Sequence, residues 1–244
     1  MASSYVLAGC DGLSSIIERF MLESDEFHNN FSRDDISNFF DITCNKFLHS
    51  FGQNFKGKKK YNKYNWKEAE VFNVCRRTGF FKNSEFMVDS GAFQISMGLL
   101  NKRESELLFN MYYEFIQTYP EVFDRAFILD LPPGPGCEMF SSFRDVYDLN
   151  LLSFKIAADL PEEIRKKIIY IHHFRTPQIW RICSDILDTD DMFDKFQHFA
   201  TGGIAANMSG DMSIPCIIYV LPLIPLLNRA IKYKRDKLSF HILG

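Results

Sequence analysis

The sequence predicts an α/β fold, a parallel sheet covered by helices of the kind that closes into a (β/α) barrel. Three observations predict it. Apolar runs of strand length recur along the chain, each followed by sequence of helical periodicity. The runs are apolar throughout rather than alternating, as strands covered on both faces should be. Two of them end in an aspartate and a third in a glycine pair. In parallel α/β folds the C-terminal strand ends are where chemistry is placed.

The elements follow in order. Tyr5-Val6-Leu7-Ala8-Gly9 is the first expected strand, followed by helical patterns over Ser14 to Glu23 and Arg33 to His49. Phe86 to Asp89 is the next strand, with a helix near Arg103 to Thr118. Ala126 to Asp130 is a strand that breaks at Pro132-Pro133-Gly134-Pro135-Gly136, and a long helical region covers Ser142 to Lys167. Ile168 to His172 is a strand, and Pro177 stands in the first turn of a helix reaching Leu187. Phe196 to Thr201 is a strand ending in Gly202-Gly203, and a Pro-interrupted apolar helix from Ile214 leads to a last strand, Leu238 to Leu243. That makes six β–α steps, whereas closure takes about eight. Either strands lie hidden before Phe86, or the barrel is incomplete at its C-terminus. No internal repeat is evident. The chain reads as a single barrel domain over 1–244 with a basic insertion at about 50–80.

Composition narrows the partners. With 244 residues, 46% of them hydrophobic, the chain can bury a sizeable core. A net charge of -3 gives no general attraction for polyanions. A nucleic-acid contact therefore needs a local patch, and there is one at Lys56 to Lys67. There Lys58, Lys59, Lys60 and Lys63 interleave with Tyr61, Tyr64 and Trp66. Such a run is either a solvated loop or a phosphate contact with rings for stacking. The six cysteines are scattered without C-x-x-C spacing, as in a cytoplasmic protein with reduced thiols. The N-terminus lacks a signal-peptide pattern. The Ile214 to Leu227 run is interrupted by three prolines and falls short of the ~20 residues of a membrane span.

The residues that could carry chemistry sit at strand ends. Phe86 to Val88 delivers Asp89, Ser90 and Gly91, then Phe93 and Gln94. Asp130 follows Phe127-Ile128-Leu129, and Gly202-Gly203-Ile204 follows Phe199-Ala200-Thr201. A pair of carboxylates is the usual equipment for breaking a glycosidic bond. A Gly-Gly turn lets backbone N–H groups approach a planar ligand. Each feature also has an ordinary explanation. Asp89-Ser90-Gly91 is a good helix cap, and Asp130 can be a solvated strand end. Gly202-Gly203 can be a tight turn, or an anion turn in an unrelated phosphate-binding barrel. His172 and His173 are adjacent in a strand and point to opposite faces, which disfavours a shared metal. His198 and His241 read as structural.

Asp89-Ser90-Gly91-Ala92-Phe93-Gln94 resembles the D-S-G-G-F-Q signature of the tRNA-guanine transglycosylase family. Thr201-Gly202-Gly203-Ile204-Ala205 resembles that family's G-G-L-A segment, and Phe240-His241-Ile242-Leu243-Gly244 its strand ending in L-M-G. The motifs keep the family's order from about Tyr5 to Gly244; only the first is specific. The resemblance implies a TIM-type (β/α) barrel that exchanges guanine for a 7-deazaguanine through a covalent glycosyl-enzyme intermediate. It implies Asp89 as the catalytic carboxylate handling the base's proton. It implies Ser90, Phe93, Gln94, Asp130, Gly202, Gly203 and Ile204 as base contacts, with His172 or His173 loosely matching a base-reading Gln. A carboxylate at Asp130 would suit a guanine edge, which presents N–H donors.

The departures are informative. Ala92 replaces a glycine, and Leu131-Pro132-Pro133 follows Asp130. The family's zinc motif, C-x-C-x-x-C…H, is missing, so no metal or other cofactor is expected. The family's nucleophilic Asp follows the L-M-G strand, beyond Gly244. These departures resemble the phage and bacterial members that act on DNA. The expected partners are therefore nucleic acid, DNA before tRNA, and a 7-deazaguanine base, with no membrane and a cytoplasmic location. The alternative is a non-catalytic or split half-subunit needing a second protein chain to supply the nucleophile.

Overall fold

The structure, a computed structural model, describes residues 7–8, 19, 21–32, 34–36, 38, 46–52, 85–130, 143–173, 185, 195–202 and 239–242. The described strands are β1 (Leu7–Ala8), β2 (Lys46–Ser50), β3 (Glu85–Asp89), β4 (Arg125–Phe127), β5 (Ile168–His173), β6 (His198–Gly202) and β7 (Ser239–Ile242). The helices are α1 (Asp25–Asn30), α2 (Ala92–Ser96), α3 (Lys102–Thr118), α4 (Phe143–Asp159) and α5 (Glu162–Arg165). The fold is α/β, and the registered strand pairs are all parallel. The chain forms two compact units, one of residues 1–91 and 108–126, the other of 92–107 and 127–244.

In the first unit β1 pairs with β2, β2 with β3, and β3 with β4. β2 corrects the sequence expectation, because Lys46 to His49 falls in a strand rather than at the end of a helix from Arg33. The stretch satisfies two periods at once. Ile36, Phe39, Phe40 and Phe47 fit a helical stripe, while burial from Lys46 to Ser50 alternates with the period of two that decides for a strand. The β2–β3 register sets three layers on one side: Lys46 opposite Glu85, Leu48 opposite Met87, Ser50 opposite Asp89. At the first layer Glu85 binds Lys46 Nζ at 3.0 Å and Arg125 Nε at 3.6 Å. Phe47, Phe86, Met87 and Val88 are buried, so both sides of this ladder are covered. Phe51 sits against the rings of Tyr112 and Phe115, each at 5.3 Å, and Phe115 continues to Phe123.

In the second unit β5 pairs with β6 and β6 with β7. Strand pairing of β4 stops at Phe127, short of the Asp130 expected, although Ile128 N still donates to Ile169 O at 2.9 Å. The single helix expected over Ser142 to Lys167 is two helices. Leu160-Pro161 divides α4 from α5, because the residue before a proline is disfavoured in the α region. The core here is a second ring cluster, Tyr170 with Phe154, Phe196 and Phe199 at 4.4 to 6.1 Å.

A geometric repeat also emerges. α3 and α4 are both 17 residues long. Lys102 to Phe143, Asp89 to Asp130 and Tyr112 to Ser153 are all steps of 41 residues. Phe86-Met87-Val88-Asp89 matches Phe127-Ile128-Leu129-Asp130 in the same offset. Little identity survives elsewhere, which is why the sequence shows no repeat. The six cysteines, the Lys56 to Lys67 run and the Pro-interrupted apolar run lie outside the described residues. No described helix is long and apolar enough to cross a membrane.

Candidate functional site

Asp89 ends β3, and its carboxyl is gripped from two directions. The Ser50 hydroxyl, directly opposite in register, donates to Asp89 Oδ2 at 2.9 Å. The Gly91 amide donates to the same oxygen at 3.1 Å, and the Ser90 amide also supports the carboxyl. Gly91 has φ 86°, a left-handed conformation that a residue with a Cβ adopts only at a cost. The small residue in Asp89-Ser90-Gly91 is thus what turns the chain so that its amide faces back onto the carboxylate. Ser90 is buried, and Asp89 as a residue is half-buried. Burial pushes the Asp89 carboxyl above its ordinary value of 3.8. The Ser50, Gly91 and Ser90 hydrogen bonds and the charge of His49 pull the other way without prevailing. A carboxyl held protonated to higher pH can hand a proton to a leaving group and take it back.

Ser50 and His49 carried no functional signal in the sequence. No polar–apolar alternation marks Lys46 to Ser50 as a strand; the period of two is in its burial, which only the fold reveals. His49 is buried beside Phe47, on the side of β2 away from Ser50.

In the second unit, Phe93 and Gln94 lie on α2. This short helix closes in a Schellman arrangement, with Leu99 N on Gln94 O at 3.0 Å and Gly98 N on Ile95 O at 2.9 Å. Gly98 takes the left-handed position with φ 70°. Phe93 is 60% exposed, while Gln94 is buried with its Oε1 lacking a hydrogen-bond partner among the described residues. An unsatisfied buried acceptor costs about 1–3 kcal/mol. Gln94→Leu should therefore leave stability unchanged or raise it. Thermal melts check this, and a destabilised Gln94→Leu would contradict it.

Asp130 is buried in the same unit, and Gly202 ends β6 opposite His173 of β5. Gly203, Ile204, Lys58, Lys59, Lys60 and Lys63 lie outside the described residues. Asp89 and Ser90 belong to one unit, and Phe93, Gln94, Asp130 and Gly202 to the other. Among the described residues no three His, Cys, Asp or Glu side chains form a metal-binding cluster.

Asp89 and Asp130 share a local device. The Tyr112 hydroxyl of α3 donates to the Val88 carbonyl, at a long 3.4 Å, and the Ser153 hydroxyl of α4 donates to the Leu129 carbonyl. Both donors stand 24 residues beyond their acceptor. In each step a buried helix hydroxyl pins the peptide immediately before the aspartate.

No protein-family model, curated protein or solved structure matches this chain.

Proposed function

We propose that the chain is a transglycosylase that exchanges guanine for a 7-deazaguanine base in nucleic acid, DNA before tRNA, on a TIM-type (β/α) barrel. The observation that carries the reading is the Asp89 carboxyl. It ends a parallel strand within the motif that resembles the family signature, and it is raised by burial while held by Ser50 and Gly91. The reaction is a double displacement. An attacking carboxylate, which the resemblance places beyond Gly244 or on a partner chain, bonds to the sugar C1′ as the guanine N-glycosidic bond breaks, and Asp89 in its acid form gives the departing base a proton. The 7-deazaguanine then displaces the carboxylate from C1′ and loses a proton to Asp89, which restores both groups. The motif resemblance alone assigns Asp130 to the base's N–H and amino donors and Gln94 to a base contact.

The target base must leave its stack to react. The exposed ring of Phe93 is suited to stacking on a base. Phe93→Ala should weaken single-strand binding by about 1–3 kcal/mol, the usual worth of one base–aromatic stack. Fluorescence anisotropy with a labelled oligonucleotide reads this, and unchanged affinity removes Phe93 from the interface.

The deciding experiment is incorporation of labelled guanine into duplex DNA and into tRNA by the full chain, with chase by a 7-deazaguanine. Exchange into DNA exceeding that into tRNA is the expected result. Absence of incorporation into both substrates, even with any partner chain present, overturns the reading.

A further inference from the structure

Resting on the role proposed for Asp89, we propose that Ser50 is the positioning residue of the site, its hydroxyl holding the Asp89 carboxyl in the orientation from which it serves the base. Four observations carry this. Ser50 and Asp89 are registered partners at the last positions of adjacent parallel strands, so their side chains leave the sheet on one side. The hydroxyl reaches Asp89 Oδ2 at 2.9 Å, and Gly91 N reaches the same oxygen at 3.1 Å, so two donors from different strand ends fix one oxygen. The residue after Ser50, Phe51, is fully buried against Tyr112 and Phe115, which anchors the main chain that bears the hydroxyl. The charged groups of the ladder stand at its other end, where Lys46 and Arg125 both pair with Glu85.

The assignment differs from a merely structural hydrogen bond in what it does to the proton. A donor to the ionised form favours that form. Ser50 therefore opposes the burial of Asp89 and keeps its proton exchangeable. His49 acts in the same direction through its charge, from the other side of β2. Among the described residues it is the one titratable side chain whose charge bears on Asp89. Removing the Ser50 hydroxyl moves Asp89 further up and leaves the carboxyl free to rotate about its remaining amide donors. The acid then holds its proton more tightly and releases it less readily.

The test uses the full chain labelled at aspartate Cγ, with Asp89→Asn assigning the resonance. In Ser50→Ala the Asp89 titration midpoint should shift upward. The kcat for base exchange should fall roughly five- to tenfold, the worth of one hydrogen bond, with KM unchanged and the Asp89 limb of the pH profile displaced the same way. Ser50→Thr keeps the hydroxyl and should restore all three. If Ser50→Ala does not fold, Ser50→Cys, a weaker donor of similar size, should give a smaller upward shift. An unmoved midpoint in a folded Ser50→Ala, or a shift that Ser50→Thr does not reverse, overturns the assignment. A wild-type chain that exchanges no base on either substrate, even with any partner chain present, overturns the transglycosylase reading instead. The titration still reads the Ser50–Asp89 coupling by itself.

Discussion

Asp89→Asn should abolish base exchange, by roughly 10²- to 10⁴-fold, and should also raise the melting midpoint at neutral pH. The two effects have one cause. Burial lifts the folded-state value of Asp89 above 3.8. Between 3.8 and that raised value the folded chain keeps a proton that the unfolded chain has released. Stability from this group is therefore greatest below 3.8, falls as pH rises through that window, and stays low above it. Asparagine has no charge to desolvate, and its side-chain oxygen can still accept from Ser50 and Gly91. The variant should gain on wild type at pH above the window and lose the advantage below it. Melting curves at acid and neutral pH, beside the exchange assay, check both halves. A neutral-pH loss of stability in Asp89→Asn would contradict the account.

The second large effect is Phe51→Ala, which should cost about 3–5 kcal/mol. That is a large share of the ~5–15 kcal/mol that holds a typical domain folded. Phe51 is fully buried, and its ring lies 5.3 Å from both Tyr112 and Phe115. Its loss opens a cavity between the end of β2 and α3, directly after Ser50. The Asp89 titration should shift in whatever fraction remains folded, because the hydroxyl loses its anchored main chain. Tyr170→Ala provides the contrast. It removes a buried ring packed on Phe154, Phe196 and Phe199. Its cost is comparable, but it belongs to the other unit, so the Asp89 titration in its folded fraction should stay put. Chemical denaturation and the aspartate resonance read the two effects separately.

The alternation of parallel strands and helices was legible because doubly covered strands are apolar along their whole length. Phe86 to Asp89 and Ile168 to His172 therefore stood out. β2 was not legible. Lys46-Phe47-Leu48-His49-Ser50 does not alternate polar with apolar residues, although its burial alternates, and Phe47 also falls on a helical stripe begun at Ile36. The break at Pro161 was visible in principle, since a proline disfavours helix at the residue before it. Asp89 was legible as a residue, yet nothing local showed what holds it. Ser50 lies 39 positions away, and only the register of two parallel strands makes them neighbours. The 41-residue repeat stayed hidden because its two locks are a tyrosine and a serine.

Those locks have a consequence for how such a chain can change. In both steps the acceptor is a main-chain carbonyl, of Val88 or of Leu129. A main-chain carbonyl is there whatever side chain the next residue bears. The helix thus secures the strand end without inspecting the group mounted on it. Selection can exchange the mounted residue, an acid for an amide or a hydroxyl, while the fastening is inherited intact. Novelty at these two stations is thereby uncoupled from the upkeep of the scaffold.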